Sequence, residues 1–302
     1  MHRVGYGVGL CKVDLGVLPC SNVCRISYLI KVATNFKKDL MKNKFHSIQL
    51  VSFLIPLFVI IVSLIGILNQ PIYDARLNTI TSSELLGQDC VSLIIGILLL
   101  GCLLLEKHSF FLRVVNLGML SYFMYIYSYY CFSIISSFLF ILYIVIFGLS
   151  LFIFIYRLSA LIKENSLINT NSHYPRKSLS YFFIIAVLIM LIKELPYLVE
   201  TTIIKNKSII PFDAFYILDL SFVFPAMIII AIMNLLQKPA CVILSGIVLV
   251  KLITLMPALL FNDLFHFMQE GYFIDFSFVI IASVFTLFSL MLLYLYRRGI
   301  NI

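Results

Sequence analysis

Long apolar runs alternate along this chain with short polar segments. Eight such runs stand out: 48–69, 89–105, 110–132, 135–156, 179–199, 215–236, 240–261 and 273–296. At 1.5 Å per residue, a run of about 20 residues matches a hydrocarbon core about 30 Å thick. In lipid every backbone amide must be paired within its own helix or within a closed barrel. The runs lack the alternation of a barrel strand, so each is predicted to be an α-helix. The expected fold class is therefore all-α: a polytopic transmembrane helix bundle of about eight spans. Some connections are tight, Glu106-Lys107-His108 between the second and third runs and Gln237-Lys238-Pro239 between the sixth and seventh. Those pairs, with the third and fourth runs, must be antiparallel neighbours.

Composition agrees. Apolar residues make up 62% of the chain and charged residues 12%, against about 45–50% and about 25% in soluble domains. Lipid must be the solvent for much of the surface, and the lipid bilayer is the first partner expected.

The formal charge of +8 brings nucleic acid to mind, but its placement argues against that partner. Of the 22 Lys and Arg, Arg76, Lys205 and Lys207 lie in one set of loops, Lys193 and Lys251 lie inside runs, and the other 17 lie in the N-terminal arm and the alternate loops. That asymmetry places both termini in the cytoplasm.

Residues 1–40 differ from the rest, with Gly5, Gly7, Gly9 and Gly16 breaking any periodicity. Met41-Lys42-Asn43-Lys44 followed by an apolar run is how a membrane protein commonly begins. Residues 1–40 are therefore expected to be a non-native or disordered extension, and 41–302 a single integral membrane domain. The basic loop 157–177 divides the runs four and four. A faint parallel repeat shows in Asp89 and Asp219, Lys107 and Lys238, and Gly118 and Gly246.

Candidate chemistry is sparse. The seven cysteines give no zinc spacing and no disulfide framework. No zincin, nucleophile-elbow, phosphate-loop or dinucleotide motif occurs. No catalytic residue, metal or cofactor is expected. What remains is a set of ionisable residues inside the apolar runs: Lys193, Glu194, Asp219 and Lys251, with Asp89 at the head of its run. Such residues are costly in lipid and mark either a functional site or a structural pair. Asp219 and Lys251 lie on adjacent runs, about 10 Å apart along the axis, so water or a third group such as Glu194 should bridge them. Tyr122, Tyr125 and Tyr129 share one helical face and either line the same cavity or form an interfacial belt. Pro196, Pro225 and Pro257 free backbone carbonyls in the same halves of their runs.

Gly87-Gln88-Asp89, Gly118-Met119-Leu120-Ser121-Tyr122 with Tyr125 and Tyr127, Leu218-Asp219, Pro225, Gly246 and Lys251 together resemble an uncharacterised family of multi-pass membrane proteins of bacteria and archaea. The resemblance covers residues 48–296. It implies the helical membrane fold and a cell-membrane location, and no chemistry; the Ile-, Lys- and Asn-rich usage suits an AT-rich bacterial genome and hence a bacterial cell membrane. One departure is the absence of tryptophan, which leaves interfacial anchoring to Tyr and Phe.

Two readings of function follow. One is a small-molecule or ion carrier, or a binding component, with an outward-facing polar cavity. The other is an accessory or sensory subunit whose buried charges hold partner helices. A membrane-embedded enzyme is disfavoured, since no base, nucleophile or metal set is recognisable. The topology is open to a direct check in a cysteine-free background. Cysteines at Ser82 and Asn206 should react with impermeant thiol reagents on intact cells, and one at Asn171 should not. Labelling at Asn171 would reverse the orientation.

Overall fold

A computed structural model describes residues 48–69, 79–106, 109–133, 138–164, 173–200, 214–270 and 276–300. The N-terminal extension, the Met41 start and the loops carrying Arg76, Lys205 and Lys207 lie outside the described residues. The described chain holds eight helices long and apolar enough to cross a membrane. They are α1 (Ile48–Leu68), α2 (Thr79–Leu105), α3 (Phe110–Phe132) and α4 (Phe140–Glu164), then α5 (Arg176–Val199), α6 (Ala214–Leu235), α7 (Ala240–Glu270) and α8 (Phe276–Gly299). Residues 51–302 form one compact unit.

Several boundaries differ from the sequence reading. α2 begins at Thr79, ten residues before its apolar run, and α7 continues to Glu270 through Asn262-Asp263, which reads as a loop. Polar residues at a helix end stop the apolar run without stopping the helix. Hydropathy locates the hydrocarbon core, whereas the backbone ladder continues into the polar layer. α4 likewise spans Phe140–Glu164, shifted toward the C-terminus from 135–156.

α3 and α7 form the centre. Of their membrane-length stretches 72% and 61% is buried, against 22–44% for the other helices. α7 packs on α2, α3 and α8; α3 packs on α4; α5 packs on α6. The outward faces carry large apolar side chains such as Ile141, Phe152, Ile192 and Leu287, as a lipid-facing surface requires. Hereafter the basal end is the one with the C-termini of α2, α4, α6 and α8, and the distal end is the opposite one.

Two glycines set the central contact. A Cβ on Gly118 of α3 would run into the Val250 side chain and come within 3.2 Å of the Ile247 carbonyl of α7. A Cβ on Gly246 of α7 would fall 2.6 Å from Val114 of α3 and 2.7 Å from the Tyr296 ring of α8. Each glycine thus receives the other helix. Hydrogen bonds close the two hairpins in a similar way. Asn116 of α3 donates to Glu106 at 2.6 Å, and Asn234 of α6 donates to Ser245 of α7 at 2.7 Å. The turn after α6 places Gln237 at φ 55°, and the Lys238 N–H reaches back to the Met233 carbonyl. This is a glycine-type helix end built with Gln.

The basal end is tied by charge. Glu106, buried beneath α3, accepts from Arg157 of α4 as well as from Asn116. Arg113 pairs with Glu164 at 2.7 Å.

The glycine contacts generate a prediction. Gly118→Ala and Gly246→Ala should each destabilise the bundle by about 1–3 kcal/mol, the usual cost of overpacking. Gly101→Ala and Gly148→Ala, with nothing within 4 Å of the added methyl, should be neutral or slightly stabilising. Thermal unfolding in one detergent separates the two pairs; equal behaviour of all four would deny the central role of the contact.

Candidate functional site

Pro225 shapes the site from the backbone up. It has no N–H and its ring crowds the carbonyl one turn back, which disfavours a regular helical turn before it. The chain widens instead: Asp219–Val223 form a π-helical turn, and the Phe224 N–H donates to the Asp219 carbonyl five residues earlier. Such bulges re-aim side chains and cluster at functional sites. Here the bulge begins at Asp219, whose carboxylate faces inward, about 8 Å along α6 from its distal start.

Asp219 lies on the wall of a cavity of about 630 Å³ between α3, α5, α6, α7 and α8. This volume is in the range of small-molecule sites. α3 contributes Tyr125 and Tyr129, and α5 contributes Lys193, Glu194 and Tyr197. α6 adds Phe215 and Tyr216, α7 adds Asn262 and Asp263, and α8 adds Phe278 and Phe285. The aromatic wall is ordered by its own contacts. Tyr129 stacks on Phe215 with centroids 3.6 Å apart, and Tyr197 lies 5.1 Å from Tyr216.

The acids of the cavity differ in their surroundings. Tyr125, itself buried, faces Asp219. The Lys251 ammonium sits 4.1 Å from the centroid of the same Tyr125 ring. Tyr125 is therefore the third group beside both Asp219 and Lys251, where Glu194 is the bridge expected from sequence. Glu194 stands apart on α5. Its side chain is buried, its Oε2 has no hydrogen-bond partner, and it faces the like charge of Asp219. Asn262 likewise presents a buried Oδ1 without a partner.

Asp89 and Tyr122 belong to a different cluster. Tyr122 is fully buried against α2, where it accepts from Gln88 at 2.6 Å and lies 3.2 Å from the Ser92 hydroxyl. Tyr130 donates to Asp89 at 3.4 Å. Asn262 connects this cluster to the cavity by donating to Gln88 at 3.5 Å, beside Gly87, whose added Cβ would strike the Asn262 backbone at 2.7 Å.

Of the residues expected from sequence, Tyr125, Tyr129, Lys193, Glu194 and Asp219 share one cavity, and Lys251 joins them through Tyr125. Asp89 and Tyr122 do not. The three tyrosines share a helical face but not a neighbour. α3 is enclosed by α2, α4, α6 and α7, so residues a turn apart meet different helices. All three are buried, which rules out the interfacial belt. Sequence reasoning passed over Asn262, because a polar pair after an apolar run reads as a loop. It also passed over the aromatic residues of α6 and α8, which carry no mark distinguishing them from lipid-facing ones. Gln88 stood beside Asp89 in a motif already noted, and that was the available signal.

Comparison with protein-family models, with curated proteins and with solved structures finds no match to the chain.

The link through Tyr125 has a measurable consequence. Lys251→Met should destabilise the protein by about 1–3 kcal/mol, because Asp219 loses the charge that offsets its burial. Adding Asp219→Asn should restore most of that stability. Simple additivity of the two changes would mean that the residues do not communicate.

Proposed function

We propose that this protein is a carrier or binding component of a bacterial cell membrane that holds a small molecule in the cavity between α3, α5, α6, α7 and α8. The buried, unpartnered carboxylate oxygen of Glu194 on the cavity wall carries this reading. A polar atom removed from water without a partner costs about 1–3 kcal/mol or more, and a ligand that bonds to it removes that cost. The alternative, an accessory or sensory subunit, would use its buried charges as contacts between helices. Glu194 and Asp219 instead face a shared space.

The cavity opens toward the exterior in this proposal. Arg113, Arg157, Arg176, Lys177, Lys238, Arg297 and Arg298 all lie at the basal end, which the positive-inside rule makes cytoplasmic. The cavity lies in the distal half. Membership of the multi-pass family that the chain resembles belongs to the same proposal and adds a fold and a location.

Thiol labelling tests the reading. In a cysteine-free background, cysteines at Met256 and Leu259, both on the cavity wall, should react with small water-soluble reagents added to intact cells. A cysteine at fully buried Leu99 of α2 should stay silent. Silence at both cavity positions in a folded protein would refute an outward-facing cavity.

A further inference from the structure

A second space of about 360 Å³ lies between α5 and α8. Ile189, Ile192, Ser277 and Ile281 line it together with Met190, Lys193 and Phe278. The last three also line the main cavity. The two spaces therefore share a wall, and Lys193 lies across it with its ammonium 3.7 Å from the Phe278 ring centroid.

α5 and α8 touch each other only sparingly. The Phe182 ring, nearer the basal end, lies 5.9 Å from Phe285 and 5.3 Å from Phe288. Toward the distal end, Lys193 over Phe278 spans the gap. Ile192 and Ile280 are exposed beside it, so this groove faces the hydrocarbon of the bilayer. Apart from Lys193 and Ser277 its lining is apolar.

The two spaces have complementary characters. The main cavity sets Glu194, Asp219 and Asp263 among aromatic rings, with Lys193 at its wall. Carboxylates and aromatic faces together recognise an organic cation. Lys251 behind Tyr125 offsets Asp219, and the buried Oε2 of Glu194 has no hydrogen-bond partner, which makes Glu194 the acid placed to meet such a charge. The groove offers the surroundings an alkyl chain requires. Lys193, whose ammonium rests on the Phe278 ring, lies between the two spaces. Its flexible stem can swing aside, joining cavity and groove.

We infer that the ligand is an amphiphile with a cationic amine head group, admitted from the bilayer between α5 and α8, its head at Glu194 and its chain in the groove. This inference rests on the main cavity being a binding site. A free alkylamine and an amine-headed lipid share the required chemistry.

The test uses the full chain in nanodiscs. The protein contains no tryptophan, so Ile281→Trp supplies a single reporter in the groove, and Ile189→Trp replaces it if the first variant fails to fold. A long-chain ω-bromoalkylamine should quench that tryptophan saturably. Adding Glu194→Gln should weaken the effect about ten-fold, and propylamine should compete at least about ten-fold less well than the long-chain amine. In a separate arm, nanodiscs made with brominated-chain ethanolamine lipid are compared with brominated-chain glycerol lipid. Stronger quenching by the former assigns the site to a lipid, and equal quenching assigns it to a free amphiphile.

Equal quenching by the matching ω-bromoalkanoate, or indifference to Glu194→Gln, would overturn the amine head group. Equal competition by propylamine would overturn the chain in the groove. If no probe quenches either reporter saturably while cysteines at Met256 and Leu259 still label, this inference alone is lost. If those cysteines are silent as well, the binding-site reading falls with it.

Discussion

The architecture depends on how closely α3 and α7 approach. Without water to drive helices together, membrane bundles rely on close packing at small residues. Gly118 and Gly246 supply it, each opening a place for the other helix. With those helices at the centre, α2 and α8 flank α7 and α4 flanks α3. Several polar groups on α3 then find partners within the bundle, while the buried Tyr127 hydroxyl has none among the described residues. Asn116 finds Glu106, Tyr122 finds Gln88, and Tyr125 finds Asp219. The hydroxyls of Ser121 and Ser128 turn back to carbonyls of their own helix.

The cavity follows from what the core leaves out. α5 pairs with α6, and both approach the centre from the side, while α8 packs mainly on α7 and barely meets α5. The space between them is filled near Phe182, Phe285 and Phe288 and left open toward the distal end. Pro225 and the π turn before it direct Asp219 into that space. One helix irregularity therefore decides whether this carboxylate meets lipid, a neighbouring helix or a ligand.

Charge in this molecule is arranged by depth. Basic side chains at the basal end pair with buried Glu106 and with exposed Glu164. Deeper charges are handled differently. Lys251 rests on an aromatic face, and its opposite charge reaches Asp219 through a tyrosine. An aromatic ring is an economical intermediary, since it carries a hydroxyl for one partner and a π face for the other without adding net charge.

The residue order by itself determined the helical membrane class, the number of spans and the antiparallel hairpins, because each rests on local hydropathy and connection length. It also singled out Asp219, Lys251, Glu194 and Lys193, since an ionisable group inside an apolar run stands out without knowledge of its neighbours. Helix ends were less legible, as at Thr79 and Glu270, because the apolar run records the thickness of the hydrocarbon and not the extent of the backbone ladder. Only the tertiary structure decided that Tyr125, and not Glu194, lies between Asp219 and Lys251. Only it separated Asp89 and Tyr122 from the cavity and brought Asn262 and Phe278 to it. Which helix a side chain meets depends on packing between segments far apart in the chain, and in a lipid-solvated protein a phenylalanine facing a cavity has the same local pattern as one facing the bilayer.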